Sequence, residues 1–297
     1  MSTVAAKGTA EGAGGPHGGP VTGLPWAVLR LHRPALVLWV AFLLAAVATL
    51  VWETEVTAEA VHERLAACGQ NPSGPNSYVC PIQAQVGYSG TIGWASTLVY
   101  YSFFAVAAFA GGALIGREME NGTARLAWTQ SVSPTRWLAA KLAVPALLLT
   151  IGGTVFVFAF RWAWVAQRDL MSNNWASADI FAARGPVLVA YSLCALAVGA
   201  LAGVVLRRSL PALAVSCGVM YLINHILEEY RPHLWSSKSG DSSLGEGWRS
   251  GKWEFDDLAF QPESHYWPMH LVETGIVLAI TLLATGAAFW VLRRRTA

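Results

Sequence analysis

Apolar positions in this chain come in long unbroken blocks instead of alternating with polar ones. Six stretches stand out: 34–52, 91–116, 142–160, 185–206, 209–227 and 274–292. Each approaches or exceeds the ~20 mostly apolar residues that a helix needs to cross a bilayer core. None contains Asp, Glu, Lys or Arg; the fifth contains His225 and has Pro211 near its start. The pattern predicts an all-α polytopic membrane protein with six transmembrane helices. The first stretch has a faint leader-like Ala46-Val47-Ala48 run. However, more than thirty residues precede the stretch and it is long enough to span, so it reads as a retained helix.

Outside these blocks the pattern is polar. Residues 1–23 are rich in Gly, Ala, Thr and Pro with no hydrophobic period, and read as a disordered cytosolic tail. Leu24 to Arg33 sets Trp26, Val28, Leu29 and Leu31 against Arg30, His32 and Arg33, which predicts a short interfacial helix. Residues 24–295 then form one six-helix domain. Two segments between spans are long, Glu53 to Gly90 and Glu228 to Glu273. The second carries Trp235, Trp248, Trp253 and Trp267 among many acids, with a Gly- and Ser-rich stretch from Lys238 to Gly251 that reads as a flexible loop.

Composition sharpens the picture. Of 297 residues 54% are hydrophobic and 13% charged, and mean hydropathy is +0.43. Soluble domains are about a quarter charged. These values exclude a disordered chain, a nucleic-acid-binding domain and an ordinary soluble enzyme as readings of the whole molecule. The net charge of +2 hides an asymmetry. With both termini placed in the cytoplasm, the inner segments hold twelve of the 20 basic residues and three of the 18 acids, so the net charge is +9 inside and −7 outside. Basic residues favour the cytoplasmic side, which supports this orientation.

Candidate chemistry is sparse. Cys68 and Cys80 share the first outer segment, where an oxidising exterior permits a disulfide; two free thiols are the alternative. Cys194 and Cys217 lie inside spans and read as small core residues. His62-Glu63 opens an HExxH-like string, but Ala66 stands where the second histidine belongs, so no metal site is expected. Gly87-Tyr88-Ser89-Gly90 resembles the turn of an intramembrane serine hydrolase with His225 as a conceivable base. Ser89, though, reads as lying before its helix instead of within it. No phosphate-binding loop of the GxxxxGK[ST] type occurs, so ATP chemistry, if used, belongs to another chain. A gradient-driven carrier is the other energy source, but the spans hold almost none of the titratable groups such carriers use, with Glu228, Glu229 and Glu273 reading as boundary residues. Gly112/Gly116 and Gly199/Gly203 are GxxxG pairs that serve either internal packing or a homodimer.

The most informative stretch runs from Gly116 to Leu142. Gly122 is suited to the left-handed conformation that ends a helix, and Thr123 to capping the next one. A short helix over 124–129 is expected to expose Arg125 and bury Leu126 and Trp128. Ser133-Pro134 opens the third span. The result is a short helix held along the membrane surface between two spans.

Here the sequence resembles a known family. Glu118-Met119-Glu120-Asn121-Gly122-Thr123-Ala124-Arg125-Leu126, then Thr129-Gln130-Ser131-Val132-Ser133, Arg136-Trp137-Leu138 and Lys141 resemble the permease subunits of ABC-2 type ABC transporters, especially their actinobacterial branch. Pro134 stands where Arg is more usual, and Gln130-Ser131 replaces a Thr-Pro. Leu206 to Ala212 and Gln261 to Pro268 extend the likeness to about residues 24–295. The resemblance implies a non-enzymatic subunit of a bacterial plasma membrane transporter, working as a homodimer with a separate ATP-binding subunit that holds ATP and Mg. It implies export of a hydrophobic or amphipathic compound such as a drug, antibiotic or lipid. It also makes the short helix a coupling helix gripped by the ATPase, with Glu118, Glu120, Gly122, Thr123, Arg125, Leu126 and Arg136 as coupling residues.

Overall fold

The computed structural model describes residues 30–69, 79–129, 132–171, 177–236, 238–239, 247–249 and 259–296. The expected tail over 1–23 and most of the expected interfacial helix lie outside them. Six helices are long and apolar enough to span a membrane: α1 (Arg33–Cys68), α2 (Ile82–Glu120), α4 (Pro134–Ala166), α6 (Val187–Leu206), α7 (Ser209–His233) and α8 (Glu263–Thr296). Two short helices, α3 (Thr123–Thr129) and α5 (Ala178–Ala183), lie between spans. Each apolar block overlaps one of the six long helices.

Helix α6 is the centre of the bundle. It packs against α2, α4, α7 and α8, whereas α1 touches mainly α4 and α2. Small residues permit this central position. Ala190, Ala195, Ala197, Ala200 and Gly203 let neighbouring backbones approach closely, as membrane helices require where lipid tails are as apolar as the core. A Cβ on Gly199 would lie 2.7 Å from the Ala107 carbonyl oxygen, and one on Gly203 would lie 2.8 Å from Ile115 Cβ. Gly112 sits against Leu213 of α7. Both GxxxG pairs are therefore used inside the chain. Outward-facing Leu38, Leu44, Val165, Leu210, Leu282 and Leu283 are highly exposed, as suits contact with lipid.

Several helices depart from the expected outline. Helix α2 widens into a π-helical stretch over Phe109–Gly116 where it meets α6 and α7. The first outer segment is largely helical: α1 continues through a π-helical turn at Glu53–Thr57 to pack against the start of α2. Ser89 consequently lies within a helix, not ahead of one. The second outer segment adds a small antiparallel sheet of β1 (Lys238–Ser239), β2 (Gly247–Arg249) and β3 (Ala259–Pro262), in the order β1-β3-β2. The expected flexible loop between Lys238 and Gly251 lies otherwise outside the described residues.

Candidate functional site

The site is built at the basic end of the bundle, where α2 ends and α4 begins. Helix α2 stops at Asn121, and Gly122 takes φ of +72°, a left-handed backbone that a side chain would strain. A Cβ there would meet nothing within 4 Å, so only the backbone conformation calls for glycine. The Gly122 carbonyl accepts from the backbone N–H groups of Arg125 and Leu126, which starts α3. The Thr123 hydroxyl donates back to the Glu118 carbonyl at 3.3 Å. It closes the preceding helix, a correction to its expected role as a cap for α3. At the far side Ser133 Oγ accepts from the Arg136 backbone N–H at 3.3 Å, and Pro134 follows at the first position of α4.

Helix α3 buries Ala124 and half-buries Ala127 and Trp128, whose ring meets Trp137 of α4 edge-on at 5.8 Å. Leu126 is 60% exposed. The sequence reading buried it; the docking face is instead set by Ala124 and Trp128, and Leu126 points away. Arg125 is exposed as expected, and Arg136 is exposed too.

The two glutamates have different surroundings from those expected of surface contacts. Glu118 Oε1 accepts from Lys141 Nζ at 2.5 Å, with the lysine side chain almost fully buried. Lys141 Nζ also lies 3.2 Å from His32 Nε2. Burial, with the Lys141 charge beside it, holds the His32 imidazole below its ordinary value, so it stays neutral and accepts from the ammonium. Glu120 Oε2 accepts from the Ser209 backbone N–H at 2.9 Å and from Ser209 Oγ at 2.6 Å, capping α7 from another helix. Glu118 thus ties α2 to α4, and Glu120 ties α2 to α7. Of the seven expected coupling residues, Glu120, Thr123, Arg125, Leu126 and Arg136 are exposed, Glu120 and Thr123 being engaged within the chain, and Gly122 and Thr123 shape the turn.

The opposite end holds a polar cluster that the apolar pattern hid. Arg231 and Glu273, both essentially fully buried, form a two-point pair with Nε–Oε2 at 2.7 Å and Nη2–Oε1 at 2.8 Å. Tyr191 donates to Glu273 at 3.0 Å, and Tyr100 to Asn224 Oδ1 at 2.5 Å. Asp179 of α5 accepts from Ser96 and Thr97. Glu273, read from the sequence as a boundary residue, is thus buried within the helix bundle. The signal was present in Glu273 and Arg231 themselves, but only tertiary packing brings them together.

Other expected residues fall as follows. Ser89 is buried and donates to the Val86 carbonyl, while His225 is exposed and stacked on Tyr221. His62 pairs with Asp169 at 2.9 Å. Cys68 is disulfide-bonded, whereas Cys194 and Cys217 are free thiols; the side chain of Cys80 lies outside the described residues. Between α1, α2 and α4 an apolar cavity of about 580 Å³ is walled by residues that include Trp39, Phe42, Phe109 and Leu149.

Six long apolar helices, with a short helix between the second and third, are the architecture of the chain. The model of the family described as ABC-2 membrane transporter related matches residues 39–231, about two thirds of the chain. The chain belongs to this family. The match runs from α1 through α7 and includes the turn at Gly122 and all of α3. No curated protein and no solved structure matches. Membership makes the protein an ABC transporter permease, a multi-pass membrane transport subunit, and implies an ATP-binding partner subunit.

Proposed function

We propose that this ABC-2 family permease exports a hydrophobic or amphipathic compound across a bacterial plasma membrane, driven by ATP hydrolysis on a separate subunit. It lies with both termini in the cytoplasm and pairs as a homodimer. ATP and Mg are held by the partner ATPase. Helix α3 is the coupling element. The observation that carries this reading is the exposed Leu126 on a short helix whose base is tied to three spans. The turn at Gly122 joins α3 to the end of α2, which Glu118–Lys141 ties to α4 and Glu120–Ser209 ties to α7. A push on α3 therefore reaches all three helix ends. The apolar cavity beside α1 supports an apolar cargo.

The test is Leu126→Asp in the permease reconstituted with its ATP-binding subunit. Placing a charge on the exposed face should abolish most permease-stimulated ATP hydrolysis and reduce co-purification about tenfold or more, while membrane insertion and detergent extraction stay normal. Unchanged stimulation and co-purification would sink the assignment of α3. The buried Arg231–Glu273 pair keeps a second reading open, that of a gradient-driven carrier. Transport by proteoliposomes given a pH gradient but no ATPase would favour that reading.

A further inference from the structure

Behind α3, a cavity of about 280 Å³ opens between this helix and the ends of α6 and α8. Arg125 of α3, Arg207 after α6 and Arg295 of α8 line it, and Met119, Ala124 and Trp128 form its apolar wall. The lining contains no carboxylate. The nearest acids along the chain are already engaged, Glu118 by Lys141 and Glu120 by Ser209. Three like charges around one small cavity repel one another, and a balancing anion removes that cost.

Two further observations point the same way. Arg207 Nε is buried with no hydrogen-bond partner, and such an orphaned donor calls for a missing acceptor. Arg207 also has φ of 54°, the one positive value at a non-glycine among the described residues. This is the helix-ending position where glycine is the usual residue. Here an arginine holds it, at a conformational cost, and its side chain lines the cavity. Arg295 is steadied by Nη1 donating to the carbonyls of Val204 and Val205 at 3.0 and 2.9 Å.

We propose that Arg125, Arg207 and Arg295 hold the phosphate of an anionic phospholipid headgroup between α3 and the ends of α6 and α8. Arginine forks suit phosphate oxygens, and basic pockets between spans at the cytoplasmic face are where acidic headgroups bind. The cavity lies at the ends of two spans, the depth at which a bilayer supplies phosphate. Its wall is the inward face of α3, with Ala124 and Trp128, whereas a protein gripping α3 from outside meets Leu126. A lipid in this place would brace α3 against α6 and α8, which neither the Glu118 nor the Glu120 contact reaches.

The test uses the full-length permease alone, stripped of lipid in detergent, and reads bound lipid by native mass spectrometry. Phosphatidylglycerol, phosphatidylcholine and inorganic phosphate are the probes. Wild type should retain phosphatidylglycerol at least about tenfold more tightly than phosphatidylcholine. Arg125→Gln, which alters only an exposed side chain, and Arg207→Gln should each remove most of that preference. Arg207→Lys, which keeps the charge at the turn, should restore part of it, and Arg294→Gln, outside the cavity lining, should leave it intact. Elution as a single folded species guards against misfolding. Equal retention of phosphatidylglycerol by wild type and by folded Arg125→Gln overturns the proposal. So does displacement of the lipid by millimolar inorganic phosphate, which would make free phosphate the ligand.

Discussion

Glu118 and Lys141 show how residues named as contacts for a partner can be structural instead. The pair is nearly buried, so each charge depends on the other. Removing one member of a buried pair leaves an uncompensated charge and typically costs about 3–5 kcal/mol. Lys141→Met should therefore lower the thermal unfolding midpoint in detergent substantially, and Glu118→Gln combined with Lys141→Met should recover most of the loss. If the double variant is no better than the single one, the pair is not coupled as described. His32 adds a pH dependence. Its folded value is depressed below 6.5, so the unfolded chain binds the proton more readily. Stability is full above the ordinary histidine value and falls as pH drops through it. Between about pH 7.5 and about pH 5.5, wild type should lose more stability than His32→Asn. Gly122 was legible at this scale because a left-handed turn selects glycine. The exposure of Leu126 and the inward turn of Glu118 were not: the first depends on which face of a two-turn helix meets its neighbours, the second on where Lys141 of α4 comes to lie.

Among the elements, α6 carries the bundle because its small residues let α2 come close. Leucine at 199 would drive its side chain into the Ala107 carbonyl and the Gly111 backbone. Overpacking of this kind costs about 1–3 kcal/mol or prevents folding. Gly199→Leu should lower the unfolding midpoint and reduce the monodisperse fraction on gel filtration. Gly286→Leu on α8, where a Cβ meets nothing within 4 Å, should change neither. A tolerated Gly199→Leu would contradict the packing. All six long helices were legible as apolar blocks, because spanning demands a continuous apolar run. The helical continuation of α1 past Glu53 was not, because outside the hydrocarbon core helices carry polar residues such as Glu55, Glu59 and Glu63, and the apolar run ends where the helix does not. The strand pairing of Phe260 with Lys238 and Arg249 was hidden for a different reason: it joins segments too short to show a period of two.

For the whole molecule, the fold turns a charge count into a geometry. One end gathers His32, Arg33, Arg117, Lys141, Arg207, Arg208 and Arg295, joined by the contacts of Lys141 with His32 and of Arg295 with the end of α6. The other end gathers Glu53, Asp169, Asp179, Glu228 and Glu263, with Arg184–Glu263 and His62–Asp169 among its pairs. In the proposed topology six crossings bring the two ends of the described chain to one side, and the excess of basic residues at that end is the argument for placing it in the cytoplasm. Single cysteines decide this directly. Leu126 and Glu63 are both exposed, on helices at opposite ends of the bundle. In intact cells a membrane-impermeant maleimide should label Glu63→Cys at once and Leu126→Cys only after permeabilisation. The reverse pattern would place α3 outside the cell, beyond the reach of any cytoplasmic ATPase. It would remove the coupling role and the headgroup's inner-leaflet setting together. Retained labelling order with lost ATPase stimulation in Leu126→Asp would instead confine the fault to the contact with the partner.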